Sequence, residues 1–152
     1  MASVVIRALV LAAALMIGGC GQAADPGTTT QETTVRTDPE PVTKRFPAFG
    51  DFTTARWLSG RIGDGDLGPS DVWMQGLVTL TPEVAKKARA QYTWTPADPQ
   101  PEVKPQLTGS IPATGTWLLS EKYGEAAIPA GYSGDIYLRE GTDLVLFDVT
   151  SS

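Results

Sequence analysis

The fold is decided near the end of the chain by the stretch Ile136-Tyr-Leu-Arg-Glu-Gly-Thr-Asp-Leu-Val-Leu-Phe-Asp-Val149. Two runs rich in aliphatic, β-branched and aromatic residues flank the pair Gly141-Thr142. Strand-forming runs on either side of a Gly-X pair are typical of a β-hairpin closed by a type II′ turn. We therefore predict a hairpin over about 136–149.

Two more elements are predicted upstream. Val72–Leu80 is rich in β-formers and predicts a strand with a kink at Gly76. Next, Thr81-Pro82-Glu83 supplies an N-cap residue, a first-turn proline and an acidic residue in that order. This order predicts a helix over about 82–91.

The remaining segments complete the expected architecture. Thr116–Leu119 is a candidate strand, and the proline-rich stretch 96–105 predicts a surface loop. Strands joined by tight turns, with one short helix, indicate a small, mainly antiparallel α+β domain.

A repeated pattern leaves one question of origin open. Asp71-Val-Trp-Met74 and Asp135-Ile-Tyr-Leu138 match like for like, and each follows a Trp-Leu segment. The alternatives are an old duplication and a chance similarity between strands that obey the same rules.

The first twenty residues have the layout of a secretory signal. A basic start ending at Arg7 is followed by the apolar run Ala8–Ile17 and then by small residues. An apolar run of about ten residues spans roughly 15 Å, half of the hydrocarbon core of a bilayer. We therefore expect an export signal and not a membrane-spanning helix.

The end of this run resembles the lipobox of bacterial lipoproteins. Ile17-Gly18-Gly19-Cys20 is an aliphatic residue, two small residues and a cysteine. The resemblance implies cleavage between Gly19 and Cys20, attachment of a diacylglyceryl group to the Cys20 sulfur, and anchoring at the extracytoplasmic face of the cell membrane. Two acyl chains anchor stably where one does so marginally. The alternative is an ordinary signal peptide cut elsewhere, with Cys20 incidental.

These features divide the chain into three parts. Residues 1–19 are expected to be removed. Residues 20–45 are expected to be a lipidated N-terminus and a disordered Thr/Pro-rich spacer, because the stretch contains no aromatic residue. Residues 46–152 are expected to form a single globular domain.

Composition excludes several classes of function. The net charge of −5 becomes −6 when Arg7 is removed with the signal, and no run of lysines or arginines suits nucleic acid. Histidine is absent and Cys20 is the only cysteine, so Ser-His and Cys-His pairs and histidine-ligated zinc are excluded. No cofactor is predicted.

The glycine-rich segment Gly63-Asp-Gly-Asp-Leu-Gly68 matches the dinucleotide-binding motif G-x-G-x-x-G in its spacing of glycines but not in its chemistry. Asp64 and Asp66 would oppose a pyrophosphate, and the chain then enters a strand instead of a helix. Asp64, Asp66 and Asp71 are weak candidates for binding Ca²⁺, with an ordinary turn as the alternative.

The four tryptophans are expected to be core residues in at least two cases. Trp94, flanked by threonines beside the proline-rich loop, is the best candidate for an exposed tryptophan that contacts a ligand.

The leading hypothesis is a non-catalytic binding or interaction module displayed outside the cytoplasmic membrane, with an envelope protein or glycan as its partner. One alternative is a cell-wall hydrolase that uses carboxylates alone. Glu121 and Glu125 would share one face if their stretch were helical. The other alternative is a purely structural envelope lipoprotein.

Overall fold

The computed structural model describes residues 30–31, 34–62 and 71–151 of the chain. Gly19, Cys20, Asp64 and Asp66 lie outside these residues, as does the predicted signal at 1–19. Within the described ranges, no helix is long and apolar enough to cross a membrane.

The described residues form seven strands, four short α-helices and one 3₁₀ turn at Pro47–Phe49. The strands are β1 (Thr30–Gln31), β2 (Phe52–Ile62), β3 (Asp71–Leu80), β4 (Thr95–Pro96), β5 (Trp117–Leu119), β6 (Tyr132–Arg139) and β7 (Leu144–Ser151). The helices are α1 (Glu40–Arg45), α2 (Pro82–Gln91), α3 (Pro105–Thr108) and α4 (Glu121–Ala127). The strands form a single antiparallel sheet in the order β1-β2-β3-β7-β6-β5-β4. The predicted small α+β domain is confirmed.

The C-terminal hairpin, β6–β7, is confirmed, but its predicted turn type is wrong. A four-residue connection, 140–143, joins the strands, and the N–H of Thr142 donates to the carbonyl of Arg139. Gly141, with φ of 70°, is therefore the third residue of that turn, whereas a type II′ turn needs positive φ at the second.

The predicted helix over 82–91 is confirmed, because α2 has these bounds. The kink at Gly76 is wrong, since β3 pairs continuously with both neighbours through this residue. Gly76 provides space instead. An added Cβ there would lie 2.5 Å from Cζ of Phe147 and 2.6 Å from Cβ of Trp57.

Both faces of the sheet are covered. On one face, which we call the helix face, residues such as Met74, Val78 and Phe147 pack against helices α1, α2 and α4. On the other, the loop face, Leu77 and Leu146 pack beneath the segment 97–116. Because side chains alternate along a strand, the central strands β3 and β7 contribute to both cores.

The predicted boundary between spacer and domain at residue 45 is wrong. Val42 of α1 is fully buried, and Arg36 exchanges two backbone hydrogen bonds with Trp57. The Arg36 guanidinium lies 4.2 Å from the centroid of the Trp57 ring, and the indole N–H donates to the carbonyl of Asp38 at 3.0 Å. Residues 34–45 therefore belong to the domain, because contacts with a distant strand compensate for their weakly apolar sequence.

The topology argues against duplicated hairpins. The two similar segments lie on β3 and β6, which are both antiparallel to β7. Their partners, β2 and β5, lie on opposite sides of them in the sheet. A shift along the sheet therefore does not superimpose the strand pair β2–β3 on the pair β5–β6, and β5 and β6 are in addition separated by helix α4. Both facts favour chance similarity.

Candidate functional site

The structure does not bring the candidate residues together. Asp71 is the exposed first residue of β3, and Asp64 and Asp66 lie outside the described residues. In the part of the chain that the structure describes, no three acidic or cysteine side chains are close enough to hold one metal ion.

Trp94 is half-buried and has a structural role. Its indole N–H donates to the Ala88 carbonyl near the end of α2 at 3.1 Å, and its ring centroid lies 5.1 Å from that of Tyr123. Trp57, Trp73 and Trp117 are buried, which confirms the expectation that at least two tryptophans are core residues.

A polar row crosses the loop face of the sheet. Gln75 on β3 is the register partner of Asp148 on β7, and Asp148 is the register partner of Asp135 on β6. We call these three residues the polar row. The next row along the same strands is mostly apolar, with Leu77, Leu146 and Tyr137. The row on the other side holds Trp73, Thr150 and Ser133, and Asp135 is exposed, so only Gln75 is fully enclosed. A buried amide is costly unless it is paired.

Gln75 fixes a loop above this row. Its amide nitrogen donates to the carboxylate of Asp148 and to the carbonyl of Glu102, both at 2.9 Å. Its amide oxygen accepts from the backbone N–H of Lys104 at 2.6 Å. The side chain is only 2% exposed, so its amide is fully used inside the protein.

A second glutamine fixes the other end of the same loop. The amide oxygen of Gln100 accepts from the N–H of Trp117 at 2.8 Å, and its nitrogen donates to the carbonyls of Ala97 and Trp117. Residues 97–105, which we call the roof loop, are thus attached to β3 and to β5. The prolines of this loop restrict it further.

Two cavities open beneath the roof loop. One has a volume of about 480 Å³ and is lined by residues that include Trp73, Gln75 and Lys104. The other, of about 360 Å³, is lined by residues that include Asp135 and Tyr137. Asp148 and Glu102 line both. We call the two cavities together the roofed cleft.

The titratable groups of the cleft influence one another. Burial raises the pKa of Asp148, and the nearby Asp135 raises it further, while the hydrogen bond from Gln75 and the charge of Lys104 lower it. Burial, together with Asp135 and Asp148, raises the pKa of Tyr137 to about 12. The neutral Tyr137 hydroxyl donates to the Asp135 carboxylate at 3.2 Å.

Trp73 supplies the unused donor of the roofed cleft. It is 6% exposed, and its indole N–H has no acceptor among the residues that the structure describes. The ammonium of Lys104 lies 4.9 Å from the centroid of its ring. Buried donors without partners are rare, because each one forfeits its bond to water. The indole nitrogen of Trp73 is itself enclosed by protein atoms, so a ligand in the larger cavity would accept from it only after neighbouring side chains move.

The cleft therefore offers donors and acceptors around partly apolar walls, as small-molecule sites do. Lys104 presents an ammonium, Trp73 a ring whose N–H is enclosed, and Asp148 and Asp135 present carboxyl groups. Most enzymes that hydrolyse a glycosidic bond use a pair of carboxyl groups, and Asp135 and Asp148 are such a pair.

Sequence reasoning missed the polar row, although it carries a signal. Gln75 and Asp148 interrupt runs of apolar residues at positions that share a face with Trp73, Leu77 and Leu146. A polar residue at a core-facing position of a strand requires a buried partner. That partner lies about 27 residues away, on the roof loop, where periodicity gives no information.

The chain matches no protein-family model, no curated protein and no solved structure.

Proposed function

We propose that the protein is a lipid-anchored, non-catalytic binding module of the bacterial cell envelope, whose roofed cleft holds a glycan fragment. The observation that carries the proposal is the buried, unpartnered N–H of Trp73 beside the polar row, beneath a loop attached by two glutamines. A pre-formed cleft lowers the entropic cost of binding.

A glycan fits the chemistry of the cleft. Hydroxyl groups both donate and accept, so they suit a site that mixes an indole N–H and an ammonium with two carboxyl groups. The walls formed by Trp73 and Tyr137 supply apolar contacts of the kind that the faces of sugar rings require.

The location follows from Cys20. A lipid on this residue would hold the domain at the extracytoplasmic face, where envelope glycans are within reach. Replacement of Cys20 by Ser should release the protein from the membrane or leave it unprocessed. Persistence of a cleaved, membrane-bound form would contradict the anchor.

Calorimetric titration with soluble disaccharide-peptide fragments of peptidoglycan tests the binding site. Saturable binding is expected, and Lys104→Ala should weaken it by about tenfold, as loss of a charge-assisted hydrogen bond does. Lys86→Ala, an exposed change on α2, is the matched control and should bind like the wild type. Absence of binding, or equal binding by both variants, would contradict the proposal.

A carboxylate hydrolase is the second candidate, and the pair Asp135–Asp148 favours it. A carboxyl with a raised pKa beside another carboxylate is the arrangement of a general acid and its partner. Release of reducing ends from peptidoglycan, abolished by Asp148→Asn, would establish this function over simple binding. Binding without turnover would exclude it.

A further inference from the structure

Strand β6 has an uncovered edge. β5 pairs only with residues Tyr137–Arg139, whereas β7 pairs with β6 from Tyr132 to Leu138. The chain leaves the sheet after Leu119 because helix α4 begins there. Ser120 is the N-cap of this helix, and its hydroxyl accepts a hydrogen bond from the N–H of Tyr123. Residues 132–136 thus have a strand on one side and no strand of the described chain on the other.

This edge is accessible. Ser133, Gly134 and Asp135 are all exposed, and the residues of β6 beyond them, 136–139, are buried. An exposed strand edge presents backbone N–H and C=O groups that can pair with another chain. Natural proteins usually cover such edges, so an open one is a candidate interaction surface.

A groove runs beside the edge. It has a volume of about 450 Å³ and lies between β6 and α4. We call it the edge groove. Its apolar contacts come from residues such as Ile128 and Pro129 of the connection that follows α4.

The edge groove carries negative charge only. Glu121, Glu125 and Asp135 line it, and its lining includes no lysine or arginine. None of the three carboxylates forms an ion pair with a described residue. The three are also too widely spaced to ligate one metal ion. Dispersed charges along a groove suit an extended ligand with several positive charges.

We propose that an extended peptide segment bearing lysine or arginine residues adds to the 132–136 edge of β6 as a further strand. Backbone hydrogen bonds to β6 provide the affinity, and cationic side chains facing Glu121 and Glu125 on α4 provide the selectivity. The edge groove shares Asp135 with the roofed cleft but includes neither Trp73 nor Lys104, and the inference does not rest on the proposed glycan ligand.

A second copy of the chain is a poorer occupant. If the β6 edges of two molecules paired symmetrically, the acidic groove of one molecule would lie beside the acidic groove of the other. Like charges opposed across a strand pair are destabilising. The charge of the edge groove therefore favours a basic partner of different sequence.

The test uses two capped peptides, Lys-Val-Lys-Val-Lys and its counterpart with glutamate in place of lysine, titrated into ¹⁵N-labelled protein. The basic peptide should shift the amide signals of Ser133–Ile136 and slow their hydrogen exchange. Glu121→Gln combined with Glu125→Gln should weaken binding by roughly fivefold, as loss of two exposed ion pairs does. Glu83→Gln on α2 is the matched control and should leave the affinity unchanged.

The inference would be overturned by an absence of shifts at millimolar basic peptide, by shifts that map away from β6 and α4, or by equal affinity for the acidic peptide. Sedimentation should show a monomer at the same concentrations. A dimer in which the 132–136 amides become protected would assign the edge to a second copy and refute the basic-peptide partner.

Discussion

Asp135 and Asp148 face each other across β6 and β7 on the side of the sheet that lies beneath the roof loop. Two acids at directly opposed positions of a strand pair repel each other and reduce stability. Each receives a donor, Asp148 from Gln75 at 2.9 Å and Asp135 from Tyr137 at 3.2 Å. The fold therefore retains two opposed acids although their repulsion reduces its stability, and such destabilising features are typical of functional sites.

The raised pKa of Asp148 predicts a defined pH dependence. Because the folded state holds this proton more tightly than the unfolded chain, the wild type loses stability as pH rises from the ordinary value of 3.8 through the raised one. Asp148→Asn has no such proton to lose. Its free energy of unfolding, relative to the wild type, should increase over this window and then level off. Urea unfolding between pH 3 and pH 7 measures it, and a constant difference would contradict the assignment.

Gln75→Leu should detach the roof loop. The change leaves Asp148, the Glu102 carbonyl and the Lys104 N–H without a partner, which should cost about 2–4 kcal/mol of unfolding free energy. The Lys104 amide should exchange faster with solvent. Gln91→Leu, at the exposed end of α2, is the control and should change stability by less than about 0.5 kcal/mol. Unchanged protection at Lys104 would refute this role for Gln75.

Tyr123→Phe should stabilise the protein. Tyr123 is 4% exposed, and its hydroxyl has no partner among the described residues, so its removal avoids a desolvation cost of about 1 kcal/mol. Tyr137→Phe is the contrasting variant and should lose stability, because its hydroxyl donates to Asp135.

Tyr123→Phe should also alter how the stability of the protein depends on pH in the alkaline range. Burial, and then the charge of Tyr92, raises the pKa of Tyr123 to about 12. Because the folded state disfavours the ionised phenol, the wild type loses stability as pH rises from 10.0 through about 12. Tyr123→Phe should therefore lose less stability than the wild type over this range in guanidinium unfolding. A destabilised phenylalanine variant would show that the hydroxyl has a partner.

Gly134→Ala should disrupt the polar row. Gly134 has φ of 139°, and an added Cβ would overlap the backbone carbonyl of Asp148. The backbone strain and the overlap together should cost about 3–5 kcal/mol. Gly109→Ala, where an added Cβ meets no atom within 4 Å, is the control and should be nearly neutral. Thermal unfolding of both variants distinguishes them; similar melting temperatures would contradict the close approach of β6 to β7.

The sequence predicted several elements whose signals are local and missed others, such as α1, that depend on distant contacts. Gly141 and the two apolar runs around it were sufficient for the hairpin, and Thr81-Pro82-Glu83 for the start of α2. α1 was missed because Val42 and Arg36 find their partners on the sheet, more than 15 residues away.

The candidate site was less predictable for the same reason. The register that aligns Gln75, Asp148 and Asp135 depends on β7 lying between β3 and β6, an arrangement that no local pattern specifies. The attachment of the roof loop depends on backbone groups of Glu102 and Lys104, which carry no side-chain signature.

The most direct test of the proposed binding site is the indole N–H signal of Trp73 in a ¹H–¹⁵N spectrum. The four tryptophans give four such signals, which single Trp→Phe variants assign. On titration with disaccharide-peptide fragments of peptidoglycan, the Trp73 signal should shift saturably, because its N–H gains the acceptor that it lacks. The Trp94 signal should stay in place, because its N–H already donates to Ala88. A stationary Trp73 signal at saturating ligand, or a shift of Trp94 alone, would contradict the account.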